Sequence, residues 1–164
     1  MIRLSETAAA ETIDIDLPAM AEETMVDGKR ARVVPVITID KPSAVAWRAA
    51  MRSAQDIVPG RDEGEAEADY IARVEAELAK LDLQCLVARV GETAGIGAVL
   101  EGLAYTRLAV ALVRSWTGFG DADGQPVEPN ALYVTLAMKD DYIARRFEEA
   151  VRRPIYAVTS EGNV

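Results

Sequence analysis

The stretch over residues 112–136, LVRSWTGFGDADGQPVEPNALYVTL, decides the fold because it ends one helix, reverses the chain and begins another helix. Leu108, Leu112 and Trp116 recur every four residues, the spacing of one helix face. We therefore predict a helix over residues 98–116, ended by the glycines that follow Trp116. It is apolar on most faces, so we expect it to be the central and most buried element.

The second half of the stretch predicts a turn followed by a short helix. Asp123-Gly124 tolerates positive φ and so indicates a tight reversal of the chain. Asn130, placed directly after Pro129, is a good N-cap for a helix that runs to about residue 138.

A last helix is predicted from Asp140, as its cap, to Arg152, with Pro154 ending it. Its inward stripe should be Tyr142, Ile143, Phe147 and Val151. It also carries the one basic cluster of the chain. We expect this cluster to complement the helix C-terminus and to pair with Glu148 and Glu149, with docking of a partner as the alternative. The cluster is Arg145, Arg146, Arg152 and Arg153.

These ordered motifs resemble the signature of the phage tail assembly chaperones: an apolar helix, V-x-S-W, D-x-D-G-x-P-V, then a helix opening with proline and asparagine. The resemblance covers residues 100–153, is looser over 33–99, and has no counterpart for 1–28. It departs at Ala131, where a glutamate commonly stands. An ordinary helix-turn-helix corner around a buried Trp116 is the structural alternative. The matching residues are Val113, Ser115, Trp116, Asp121, Asp123, Gly124, Pro126, Val127, Pro129, Asn130 and Leu132.

The resemblance implies a non-enzymatic protein that binds the tape-measure protein and helps to recruit tail-tube subunits. Such a chaperone would mask apolar helical surface by helix-in-groove contact. Our candidates for that contact are apolar residues of the decisive stretch, and Arg145 and Arg146 are candidates for a second docking element. The apolar candidates are Phe119, Leu132, Tyr133 and Leu136, with Trp116 nearby. The alternative function is a small acidic bacterial adaptor or regulatory domain that binds a basic protein.

Composition favours a mainly α fold of one domain. The chain has 164 residues, half of them hydrophobic, but only 5% aromatic. Small side chains suit closely packed helices. We predict four to five helices around a central apolar helix, with a small N-terminal β-hairpin or meander. Residues 1–30 should be mobile or loosely packed, 31–153 should form the domain, and 154–164 a tail.

The net charge of −9 argues against nucleic acid or an acidic membrane surface as a partner, because both need clustered Lys and Arg. The N-terminus lacks an export segment, and the longest uninterrupted apolar run, residues 108–113, is too short to cross a bilayer. We therefore expect a protein of the host cell cytoplasm.

Alternation of apolar and acidic residues over 13–17 predicts a strand. Residues 32–40 predict a second strand, at a sheet edge because of Pro35.

Pro42-Ser43 should open a helix over 44–54, with Val45, Trp47 and Met51 as its apolar contacts. A further helix is predicted over 66–81, with Tyr70, Val74, Leu78 and Leu81 inward. The acids expected in solvent are Glu65, Asp69, Glu75 and Glu77. Residues 83–90 fit a helix or a strand, and 91–97 a connector.

The sequence does not meet the requirements of the catalytic and ligand-binding motifs that it partly matches. A nucleophilic Cys85 would need a histidine or another base beside it, and the chain has no histidine. Leu100 replaces the third glycine of a dinucleotide loop. In a calcium loop beginning at Asp121, Pro126 and Leu132 would occupy positions that need glycine and a carboxylate. We expect no enzyme activity, no metal and no cofactor.

Overall fold

The computed structural model describes residues 11–26, 28–90 and 95–160. Within them, the strands are β1 Thr12–Asp16, β2 Glu22–Val26, β3 Lys29–Val33, β4 Val36–Asp40 and β5 Val113–Thr117. The helices are α1 Ala44–Ile57, α2 Glu67–Ala79, α3 Cys85–Val90, α4 Gly95–Leu112, α5 Ala131–Ala137 and α6 Asp141–Ser160. A 3₁₀ turn, Pro18–Met20, follows β1.

The main sheet is antiparallel with the order β1-β4-β5, while β2 and β3 form a separate hairpin. Ile15 pairs with Ile37, and Ile37 pairs with Trp116 on its other side. Ile15, Ile37 and Ile39 are buried, whereas Asp14 on the other face is exposed and accepts a 2.7 Å hydrogen bond from Thr38. The strand predicted from the alternation over residues 13–17 is confirmed, because one face of the sheet meets the helices and the other meets water.

Helix α4 is the central element, as predicted. It packs against α1, α3, α5 and α6, and the Trp47 ring of α1 lies 4.9 Å from the Tyr105 ring of α4. Helix α4 is long and apolar enough to cross a membrane, by length and composition alone. The buried core helix of a soluble protein can meet the same two criteria. Its buried residues are Val99, Leu103, Ala104, Tyr105, Thr106, Leu108, Ala109 and Leu112.

The predicted fold class is wrong: the described residues form an α/β mixture, 53% helix and 18% strand, with a three-stranded sheet. The error lies mainly at the end of α4. The helix stops at Leu112, and the next five residues form β5, so Trp116 lies on a strand. Pairing with β4 replaces the helical hydrogen bonds and aligns Trp116 with buried Ile37.

The predicted strand over residues 32–40 is in fact two strands, broken at Val34-Pro35. Pro35 has no N–H to donate, but its carbonyl accepts a 2.9 Å hydrogen bond from the backbone N–H of Leu17. β4 is therefore the middle strand of the sheet, and the predicted edge position is wrong. A proline placed just before a strand removes no bond from its ladder.

The predicted helix starts are more accurate than the predicted contacts and ends. Helix α1 begins at Ala44, as predicted, and Ser43 caps it by accepting a hydrogen bond from Ala46 N at 3.1 Å. Val45, however, is 68% exposed and makes no core contact. Leu81 is also exposed, because α2 ends at Ala79. Of the two options for residues 83–90, the helix is found, as α3.

Two more boundaries differ from prediction. Helix α4 already begins at Gly95, inside the predicted connector, of which residues 91–94 lie outside the described residues. Helix α6 continues past Pro154 to Ser160. Of the N-terminal segment predicted to be loosely packed, residues 1–10 lie outside the described residues, while Ile15 and Leu17 are buried.

Candidate functional site

The corner between β5 and α5 is built around the predicted Asp-Gly turn, which is confirmed. Asp121 Oδ1 accepts hydrogen bonds from Asp123 N at 3.0 Å and from Gln125 N at 2.9 Å. Gly124 has φ +76°, a conformation that favours glycine, and its N–H donates to Asp121 O at 3.0 Å. The Asp121 carboxylate therefore serves the turn itself.

Trp116 fastens this corner to the sheet. Its indole Nε1–H donates to the carbonyl of Val127 at 2.6 Å, and its ring stacks on Phe119 with centroids 4.4 Å apart. The backbone of Val127 also donates to Phe119 O at 3.2 Å. The outgoing and returning arms of the turn are thus held together by directional bonds as well as by ring contact.

Helix α5 carries three of the predicted binding residues. Its predicted cap is confirmed, because Asn130 Oδ1 accepts a hydrogen bond from Tyr133 N at 3.0 Å. Val134 is buried, Tyr133 is half-buried, and Leu132 and Leu136 are 64% and 44% exposed. Because they lie four residues apart, these leucines form one apolar strip on the outer face of the helix.

Phe119, the fourth apolar candidate, belongs to a different surface. It lines a cleft of about 570 Å³ at the end of the main sheet, to which α5 contributes no lining residue. Sequence proximity had suggested one groove, but the structure separates a helix strip from a cleft. The cleft is lined by Ala19, Met20, Glu22, Val33, Pro35, Gly118, Phe119 and Gly120.

The basic cluster lies along α6, since the helix extends to Ser160; the predicted role at a helix C-terminus is therefore wrong. The predicted pairing with neighbouring glutamates is confirmed: Arg146 lies 3.0 Å from Glu149, and Arg152 lies 3.5 Å from Glu148. Arg146 also donates to the Asp16 carbonyl at the end of β1, at 3.3 Å.

Arg145, the other α6 candidate, lines a second cleft, of about 320 Å³, between α4 and α6. Three carboxylates, those of Glu101, Asp141 and Glu148, share this lining. Arg152 joins the two helices across it, 3.7 Å from Glu101. Arg152 therefore links α6 to α4, and Arg146 links α6 to the end of β1.

Sequence reasoning missed a polar cluster that fixes the loop before α2. Arg73 Nη2 lies 2.7 Å from Glu65 Oε2 and donates to Gly60 O at 2.8 Å. Glu65, which we expected in solvent, is only 13% exposed. The Arg73 hydrogen bond, followed by that from Asp62 N, lowers the Glu65 pKa. The sequence signal was Arg73 itself, eight residues after Glu65 and on the second turn of α2. Its long side chain can reach back over the loop.

The lone cysteine and the carboxylates are the side chains to consider for chemistry. Cys85 is half-buried. Within the described ranges, no three His, Cys, Asp or Glu side chains are grouped to hold a metal ion. What the surface offers is apolar contact, at the α5 strip and in the sheet-end cleft. No family model, curated protein or solved structure matches this chain.

Proposed function

We propose that this chain is a tail assembly chaperone-like protein of a phage or prophage. It acts in the host cytoplasm, binds the tape-measure protein without catalysis, and helps tail-tube assembly. The observation that supports this best is the α5 strip, Leu132 and Leu136, exposed on a helix that begins directly after the motif-bearing corner.

The corner explains how the strip could serve as a binding surface. Bonds from Trp116 and Asp121 hold the corner together, and Asn130 caps the start of α5. Helix α5 is therefore held in position before a partner binds. A preorganised helix loses little conformational entropy on binding. Burial of Val134 on the inner face leaves the two outer leucines for a partner.

The tape-measure protein, a long and largely helical polypeptide, would offer apolar stripes of matching period. Two leucines at positions i and i+4 suit contact between amphipathic helices. Glu128 and Asp140, exposed at either end of α5, would keep the complex soluble and favour basic residues at its rim.

Co-expression with the tape-measure protein of the same gene cluster, followed by pull-down, tests the proposal. We expect the wild-type chain to keep that protein soluble and to co-purify with it. The double variant Leu132→Asp/Leu136→Asp should abolish the complex, and added salt should weaken it only modestly, since the contact is mainly apolar.

Val45→Asp is the matched control. Val45 is as exposed as Leu132 and also lies on a helix, but on α1. The proposal fails if the tape-measure protein never co-purifies, or if the Val45 variant loses the complex as completely as the double α5 variant.

A further inference from the structure

The sheet-end cleft lies where β1 ends, β4 begins and β5 ends. Its floor is Pro35, tied to the end of β1 by the 2.9 Å hydrogen bond from Leu17 N. Gly118, with φ +80°, passes so close that a side chain there would place its Cβ 3.0 Å from Pro35 Cα. The chain thus passes Pro35 too closely at this point for a residue with a side chain.

Three apolar side chains in the walls of the cleft come from different elements. Met20 comes from the 3₁₀ turn, Val33 from the base of the hairpin, and Phe119 from the corner after β5. Both Met20 and Val33 are exposed at its lip. Its volume of about 570 Å³ falls within the usual range for sites that bind small ligands or side chains.

The charge at the lip is negative. Glu22 is the one charged residue among the described residues that line the cleft, and it pairs with Val33 at the hairpin base. Glu23 and Asp121, the chain neighbours of Glu22 and Gly120, are also exposed acids. One cation lies beside them: exposed Arg32, the chain neighbour of Val33, donates to the Pro18 carbonyl at 3.1 Å, so the three acids outnumber it. A ligand that enters the cleft therefore passes a negative rim and then contacts the apolar side chains of the walls.

We propose that this cleft is a binding site for a peptide segment in which a large apolar side chain is followed by Lys or Arg. The apolar side chain enters between Met20 and Phe119, and the cation lies at Glu22. The site is separate from the α5 strip and independent of the proposed chaperone function, so it stands or fails by its own test.

Trp116 provides a direct readout, because its ring stacks on Phe119 at 4.4 Å. In the full-length Trp47→Phe protein, Trp116 is the remaining tryptophan of the chain. The probe is the tetrapeptide acetyl-Ala-Phe-Lys-Ala-amide, titrated to millimolar concentration. We expect a saturable change in Trp116 emission, together with shifts in the backbone NMR signals of Gly118 and Gly120.

The variants separate the two parts of the site. Met20→Asp and Phe119→Ala should each weaken binding by about tenfold or more, the loss that about 1.4 kcal/mol of contact corresponds to. Met20 is exposed, so its variant stays informative if Phe119→Ala disturbs the Trp116 stack. Glu22→Gln should weaken the Lys probe by about two- to fivefold, the effect of an exposed ion pair.

Matched probes and a distant variant complete the experiment. The probes with Glu in place of Lys, or Ala in place of Phe, should bind much more weakly, and Leu132→Asp should leave affinity unchanged. The proposal is overturned if titration does not saturate, if the Lys and Glu probes bind equally, or if neither Met20→Asp nor Phe119→Ala reduces affinity.

Discussion

Helices α4 and α5 both carry leucines, but they use them in opposite ways. In α4, Leu103 and Leu108 are wholly buried at the centre of the molecule. In α5, Leu132 and Leu136 point to solvent, and one residue, Val134, is buried. The fold buries the leucines of α4 and leaves those of α5 exposed to solvent.

The difference shows that the same residue type can report on stability or on binding. A buried leucine stabilises the folded protein through close packing. An exposed pair of leucines contributes free energy only when a partner covers it. The two helices should therefore respond differently to the same kinds of substitution.

The largest effect is expected in α4. Leu108→Ala should lower the free energy of unfolding by about 2 to 5 kcal/mol, because it removes buried methyl groups and leaves a cavity. Urea denaturation followed by circular dichroism measures this, with Leu132→Ala as the control. A loss below about 1 kcal/mol would contradict the central position of α4.

A smaller effect is expected at the start of α5. Asn130→Ala removes the hydrogen bond to Tyr133 N and should cost about 1 kcal/mol, while Asn130→Asp keeps an acceptor and should cost less. Thermal unfolding of the two variants makes the comparison. Equal losses would mean that the cap hydrogen bond contributes nothing specific.

The pH dependence of stability should reveal the cluster that holds the loop before α2. The Glu65 pKa lies below its ordinary value of 4.5 in the folded protein, mainly because Arg73 donates to it. Between the folded and unfolded pKa values the unfolded chain binds more protons, so stability rises with pH in that window.

The Glu65 contribution is therefore complete above about pH 4.5 and is lost as pH falls through the lower, folded-state pKa. Urea midpoints of the wild type and Glu65→Gln should differ at neutral pH and converge in acid. A gap that stays constant with pH would show that the carboxylate charge is not involved.

The smallest effect on stability is expected at the α5 strip. Leu132→Asp should change the free energy of unfolding by no more than about 0.5 kcal/mol, as is usual for exposed positions. Chemical denaturation of this variant beside Val45→Asp tests it. A loss of several kcal/mol would place Leu132 in the core and remove the contrast between the two helices.

Local signals were sufficient for much of the secondary structure. The caps Asn130 and Asp140 were predicted from their own side chains and chain neighbours, and both are found; Asp140 accepts hydrogen bonds from Tyr142 N and Ile143 N. The helix that Pro42-Ser43 was predicted to open is also found, with Ser43 as its cap. The inward stripe of α6 was predicted from period alone, and Ile143, Phe147 and Val151 are buried.

The candidate site was only partly accessible to the same reasoning. We placed Phe119 and Leu132 in one groove because they are close in sequence. This was wrong, since no local signal shows on which side of a turn a side chain will lie. Met20, Glu22 and Val33, which come from the N-terminal strands and the turn between them, were missed altogether. They lie on the 3₁₀ turn and the separate β2-β3 hairpin, and only the tertiary structure brings them to Phe119.

What the sequence determined by itself is whatever depends on a few neighbouring residues: caps, the Asp-Gly turn, and the periods of β1 and α6. The tertiary structure decided the rest. Val113–Thr117 continues an apolar helical pattern, yet becomes β5 because β4 supplies backbone partners and an apolar neighbour for Trp116. The exposure of Leu132 was decided in the same way, since burial depends on which elements meet a helix face.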